Sequence, residues 1–340
     1  MLAVNPHKAA NAEKEAAHLR SPAPPRWYTA TVVVGPALAA LTTLLIHEWM
    51  PSRQVTLPVH AYSLLLRGLL VFTLVRTIVD WCLPALRRWT RYYGPLFSGG
   101  ILVLTVWDLI TLKLAWMPLP YFPGPAMVFQ GLIDDRLILL ESAYFSLRLL
   151  LAGYFGGIAL GVACGILMGW FGLARYWGVP ILKLIGPIPA TAFVPLAMVL
   201  FPTSFFSGAA LIALAVWFPV TMLTMSGIAN VPVSYFDVAR TLGAGRGYLI
   251  FRVAVPAALP SIFIGLFMGL GASFLTLMVA ETVGVKNGLG WYLKWQQGYA
   301  EYDKVYACLI IMAAFFSGLM TLLFKARDRV LAWQKGVIRW

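Results

Sequence analysis

The chain has 340 residues, 60% hydrophobic and 11% charged, against roughly 25% charged in a soluble domain, so a water-soluble globular fold is excluded. The net charge of +13 sits on short segments between long apolar runs, which excludes a nucleic-acid-binding surface. Cys82, Cys164 and Cys308 lie in or beside apolar runs without CxxC spacing, and His7, His18, His47 and His60 form no ligand cluster. No disulfide framework and no metal site are therefore expected.

Residues 1–26 are polar and carry Pro22, Pro24 and Pro25. They read as a disordered leading segment. The apolar run that follows exceeds the core of a signal peptide and reads as a retained membrane helix. A crossing helix needs about 20 apolar residues. Spans are predicted near 28–47, 62–81, 97–117, 143–170, 180–201, 207–229, 257–281 and 305–325, giving an all-α polytopic membrane protein. The second span is the weakest, because Arg67, Arg76 and Asp80 interrupt it; Arg76 and Asp80 are spaced i,i+4 for pairing. Asp108 and Lys113, five apart in the third, are expected to face the bundle from different sides.

The fourth span places Gly153, Gly157, Gly161, Gly165 and Gly169 every four residues, a stripe that lets helix backbones approach closely in lipid. Gly265, Gly269 and Ser273 repeat the device in the seventh. Pro187, Pro189 and Pro195 each delete a helical hydrogen bond from the fifth span and predict a broken helix on a translocation pathway. Ionisable residues within spans are functional candidates. Arg148 either snorkels or steers an anion, and Glu281 is a gating or pairing candidate at the outer end of the seventh span. The aromatic and charged stretch Trp291 to Lys304 is placed outside, as a membrane anchor or as a surface for an external partner.

Cationic residues fix the orientation. With the N-terminus cytoplasmic, the inner segments collect Lys8, Lys14, Arg20, Arg26, Arg87, Arg88, Arg91, Arg175, Arg240, Arg246, Arg252, Lys325, Arg327, Arg329, Lys335 and Arg339. The outer ones hold Arg53, Arg136, Lys286, Lys294 and Lys304. Both termini and the segment 231–256 then face the cytoplasm.

That segment is a polar, basic island between two apolar runs. Ser234 is predicted to cap a short helix, with Asp237 in capping-box position. Ala239 keeps one face small, Gly243 supplies positive φ at the helix end, and Pro256 suits the first turn of the next helix. Asp237-Val238-Ala239, three residues, Gly243, nine residues, then Val253-Ala-Val255-Pro256 resembles the coupling loop of binding-protein-dependent ABC importer permeases. Their pattern is Glu-Ala-Ala, Gly, Ile-x-Leu-Pro at the same spacing. Further motifs are similar to the nitrate, sulfonate, taurine and bicarbonate group: Ser146-Leu-Arg148 before the glycine stripe, Gly186-Pro-Ile-Pro-Ala190, Phe193-Val-Pro-Leu196, Ala280-Glu-Thr, Gly288-Leu-Gly-Trp-Tyr292 and Trp107-Asp108. Phe201-Pro-Thr-Ser204 departs from the group, which has a glycine-containing turn there.

The resemblance covers roughly 95–340. It implies a type I importer permease core of six helices at 95–340, preceded by the polar segment 1–26 and a two-helix extension at 27–94. It implies coupling through Asp237, Val238, Ala239, Gly243, Arg246 and Pro256 to a pair of ABC ATPase subunits that bind ATP and Mg. It also implies a second permease subunit as a homodimer, an external solute-binding protein, and a bacterial inner-membrane location. The chain has no Walker A sequence, so ATP hydrolysis is expected in the separate subunit. The solute implied is a small anion; an uncharged thiamine-precursor pyrimidine and an ion-coupled secondary transporter are the alternatives. The extension is expected at the periphery, so that a chain starting near residue 94 keeps measurable uptake.

Overall fold

A computed structural model describes residues 26–54, 60–83, 87–283, 285 and 287–334, with the side chains of 26–30, 88 and 334 outside the description. The expected disordered segment, Trp27 and Tyr28 as interface anchors, and the cations of Arg88, Lys286 and the last residues lie outside it. The described residues are helical, without strands. Seven helices are long and apolar enough to cross a membrane, and a pair bent by 84° makes an eighth if it is one span. They fall at the eight predicted positions. By contacts the chain divides into units 1–130 and 131–340.

The first unit contains α1 (Arg26–Trp49), α2 (His60–Cys82) and α3 (Arg87–Asp108), the last continued by a π turn at Leu109–Lys113. Helix α4 (Pro125–Asp134) carries the division. Gly94 lets α3 meet α1: a Cβ there would stand 2.7 Å from the Val32 carbonyl oxygen. Arg76 pairs with Asp80 at 3.3 Å, as its spacing predicts, and lies over the Trp89 ring. The third span thus packs with the two before it, whereas the family pattern begins near residue 95.

Asp108 and Lys113 do share a face, contrary to the α-helical expectation. A π turn closes i to i+5, so residues five apart come onto one side. Asp108 is 1% exposed and accepts from His47 Nδ1 at 3.0 Å. Lys113, 2% exposed, donates to the carbonyls of His47 and Met50 at 2.7 and 2.6 Å. The ammonium thereby caps the C-terminal carbonyls of α1. Starting the chain at residue 94 would remove the α1 partners of both charges and leave them unpaired at the end of the third span. On these contacts the truncated chain should insert with a lower membrane yield. Replacing Asp108 and Lys113 with leucine should restore it, as quantified by fluorescence of a C-terminal fusion. Full yield from the unmodified truncation would show the cluster to be dispensable.

The second unit contains α5 (Arg136–Trp170), α6 (Gly172–Ile185), α7 (Val194–Leu200) and α8 (Ser204–Ala229). It continues with α9 (Val233–Thr241), α10 (Arg246–Val283), α11 (Leu289–Gly298) and α12 (Tyr302–Val330). The glycine stripe of α5 meets α8 along its length. Cβ atoms added at Gly153, Gly157, Gly161, Gly165 and Gly169 would run into Ile212, Val216, Val220, Thr224 and Ile228, again a four-residue series. On the other side of α8, Gly265 and Gly269 of α10 meet Val220 and Val216. Two valines of α8 are therefore held between two side-chain-free stripes. Without a hydrophobic drive between helices in lipid, this close dispersion contact is what holds them.

Candidate functional site

Helix α9 begins one turn after α8 ends. Its N-cap is Pro232, with no side-chain cap bond. Ser234 therefore lies within the first turn, and Asp237 is not a capping-box acceptor. The fixed φ of Pro232 starts the turn instead. Asp237 pairs with Arg240 Nη1 at 3.1 Å on the exposed face. Phe236 anchors the helix by edge contact with Trp170 at the end of α5, with centroids 5.6 Å apart. Tyr235, Val238 and Leu242 are exposed and spaced i, i+3, i+7. They form an apolar stripe suited to a partner's groove. Ala239 is half-buried.

The end of α9 is built as the sequence predicts. Gly243 has φ +84°. Its N–H bonds the Arg240 carbonyl at 2.9 Å, and the Ala244 N–H bonds the Ala239 carbonyl at 3.0 Å. Those two bonds are a Schellman motif. Arg246 then opens α10, earlier than expected. Pro256 does not begin a helix; it follows a π turn at Leu249–Ala254. Proline lacks the donor and clashes with the carbonyl four residues back, and a π turn is one way a helix continues past such a conflict. The result is one helix of 38 residues from Arg246 to Val283, about 57 Å long at 1.5 Å per residue.

The fifth span is broken. Helix α6 stops at Ile185, a 3-10 turn covers Ala190–Phe193, and the two arms bend by 84°. Pro187 and Pro189 lie in the break. Pro195 lies in the first turn of α7, where a missing N–H costs nothing. Only two of the three prolines therefore interrupt the span. The break lines a cavity of about 380 Å³ with Pro189, Thr191, Phe218, Met268 and Thr276 among its walls. Irregular backbone at membrane depth is tolerated where it lines a cavity.

At the other end of α10, Glu281 is fully buried. Ser146 Oγ donates to its Oε1 at 2.6 Å, and the Gly290 N–H donates to Oε2 at 2.8 Å. Ser146 Oγ also accepts the Leu289 N–H at 2.9 Å. The carboxylate thus satisfies the first donors of α11 directly and through one hydroxyl. Gly288, at φ +103°, is required there: a Cβ would run into the carboxylate. On its other side α11 is tied by Tyr292 and Gln296 to Asp135 at 2.8 and 3.2 Å. Burial and the Asp135 carboxylate push the Tyr292 phenol well above its usual range. Trp291, Trp295 and Tyr299 stack successively on the remaining face, with centroids 5.2 and 5.3 Å apart.

Arg148 is exposed, with its guanidinium 5.7 Å from the Tyr144 ring centroid. It and the segment at 287–291 line a second, polar cavity of about 290 Å³. The sequence flagged Arg148 and Glu281 but not Ser146, Asp135 or Tyr235 as contact-makers. Only the i, i+3, i+7 spacing of Tyr235, Val238 and Leu242 offered a signal for the last.

Membrane-length helices around a broken span, with an exposed amphipathic helix on a loop, define a multi-pass membrane transport subunit. The family model for binding-protein-dependent transport system inner membrane components matches residues 157–332, and the chain belongs to that family. A probable ABC transporter permease protein of Brucella abortus (strain 2308) is 31% identical over 63% of this chain and 86% of its own length. The taurine transport system permease protein of Escherichia coli K12 is 31% identical over 69% of this chain and 86% of its own. The bicarbonate transport system permease protein of Synechococcus elongatus is 30% identical over 75% and 94%. The protein is thus the permease component of an ABC importer, and the family implies a separate ATPase and a solute-binding protein.

Proposed function

We propose that this permease carries a small anionic solute of the sulfonate or bicarbonate class into the cell, driven through the segment 231–256 by an ATPase pair. The solute class is taken from the relatives named for taurine and bicarbonate. The observation that carries the coupling is the continuity of α10. The apolar stripe of α9, the rigid Schellman turn at Gly243 and the start of α10 form one piece, and α10 ends at the buried Glu281. Movement of the stripe by an ATPase is delivered along one helix to the outer contact with Ser146 and α11. Only interactions that differ between the inward and outward states drive such a change. The exposed Asp237, Val238 and Arg246 meet the ATPase, and Ala239 lets its surface approach.

The cavity at the broken span has hydroxyls from Thr191 and Thr276 but no charged side chain in its lining. A solute crosses such a lining without being held, which leaves strong selection to the binding protein. Two copies enclose the pathway as a homodimer, and both termini face the cytoplasm, a reading supported by the distribution of cations. The test is reconstitution with the ATPase and binding protein in proteoliposomes. Uptake that requires ATP and survives an ionophore supports the reading; uptake that follows an ion gradient without ATP replaces it with a secondary transporter.

Asp237→Lys should weaken this docking. It destroys the pair with Arg240 and leaves like charges three residues apart. Binding-protein-stimulated ATPase activity is expected to fall several-fold in the reconstituted complex. Unchanged stimulation would leave Asp237 outside the interface.

A further inference from the structure

We propose that the groove between α2 and α3 binds one anionic phospholipid, with an acyl chain lying along the groove and the phosphate at the arginines that open α3. Leu69 and Phe72 of α2 form one wall, and Tyr93, Phe97, Gly100 and Leu104 of α3 form the other. The groove has a volume of about 530 Å³, and no charged side chain is in its lining. From Tyr93 to Leu104 it runs about 17 Å at 1.5 Å per residue, close to one leaflet of a hydrocarbon core about 30 Å thick. Volume over length gives a cross-section of roughly 30 Å². A helix, about 10–12 Å across with its side chains, would lie over such a groove rather than in it. Gly100 keeps the wall open, because a Cβ there would meet nothing within 4 Å.

The polar end decides which lipid fits. Arg76 and Trp89 stand beside Phe72 and Phe97, with the guanidinium 4.9 Å from the ring centroid. Arg76 is balanced by Asp80 at 3.3 Å. Arg87, Arg88 and Arg91 then open α3, and no acidic residue stands between Asp80 and Asp108. Arg87 donates to the Asp80 carbonyl at 2.6 Å, which holds it at the end of α2. Arg91 is exposed, and no carboxylate pairs with it among the described residues. This end of the groove therefore carries positive charge that no acidic side chain of the segment offsets. A phosphate accepts bidentate hydrogen bonds from a guanidinium, and cations clustered beside a membrane helix attract anionic headgroups. A zwitterionic headgroup brings its own ammonium and gains less. Tyr92 and Tyr93, exposed at the same level, suit the headgroup boundary.

The test uses the intact permease–ATPase complex in phosphatidylethanolamine nanodiscs doped with a photo-reactive lipid. Two probes with identical tails are compared at equal mole fraction, one a phosphatidylglycerol and one a phosphatidylethanolamine. Labelled peptides are located by mass spectrometry. The phosphatidylglycerol probe should label 69–72 and 93–104 several-fold more than its partner. Arg91→Gln should cut that labelling about fivefold, the factor that ~1 kcal/mol for one surface cation gives, and Arg91→Lys should not. Gly100→Leu, which fills the groove without a clash, should abolish labelling there at an unchanged melting temperature. Equal labelling by the two probes would show surrounding bilayer only. That result, unchanged labelling in Gly100→Leu, or capture of another membrane protein by a photo-reactive amino acid at Phe97 overturns the site. Labelling does not depend on transport, so its failure leaves the importer reading in place.

Discussion

Gly157→Ala should sharply reduce the amount of folded permease, whereas Gly156→Ala, one position away, should be tolerated. A Cβ at Gly157 would stand 2.6 Å from the Ala213 carbonyl oxygen and 2.6 Å from Val216 Cβ. One obstacle is backbone, so no rotamer change relieves it. A Cβ at Gly156 meets only Ala213 Cβ, at 3.9 Å, an ordinary contact. Overpacking a tight interface costs about 1–3 kcal/mol and occasionally more. Replacing a helical glycine by alanine otherwise gains up to about 1 kcal/mol. The two variants should therefore differ by a few kcal/mol, with a lower melting temperature in detergent for Gly157→Ala. Because Val216 also touches Gly269 of α10, the damage should spread through three helices. Equal melting temperatures would mean that α5 and α8 do not meet along the glycine stripe.

Gly243→Val should leave the protein inserted but cut ATP-driven uptake. Nothing lies within 4 Å of a Cβ at this position, so crowding is not the reason. The backbone is: φ is +84°, and a residue with a Cβ pays about 1–2 kcal/mol in the left-handed region. A β-branched residue is the least suited to it. The Schellman bonds from Gly243 and Ala244 are lost, and with them the fixed angle between α9 and α10. One or two kcal/mol changes a population roughly 5- to 30-fold, and uptake should fall by a factor in that range. Gly243→Asn should recover much of it, because asparagine tolerates positive φ. Normal uptake by a well-expressed valine variant would remove this turn from the coupling path.

Local features were legible in the sequence because their physics is local. The glycine stripe shows itself as a four-residue period, and Gly243 as the first glycine after a short amphipathic helix. The eight apolar runs needed only length. What escaped depends on register or on distant partners. The spacing of Asp108 and Lys113 misleads until a π turn brings them to one face. Pro256 reads as a helix start because helices accept proline in their first turn, yet a second π turn carries α10 past it. Ser234 and Asp237 satisfy the spacing of a capping box, but the N-cap is Pro232, two residues earlier. Glu281 could not be assigned from its surroundings in the chain. Its hydroxyl partner, Ser146, stands 135 residues away, and no periodicity joins them.

If α9 and its turn receive an ATPase, Val238, 62% exposed on the apolar stripe, lies against it. A photo-reactive amino acid placed there, with the complete transporter illuminated in proteoliposomes and binding protein present, should cross-link to the ATPase subunit, with a yield that changes on adding ATP and vanadate. Cross-linking to the binding protein instead, or none to the ATPase while ATP-driven uptake is intact, would contradict this docking.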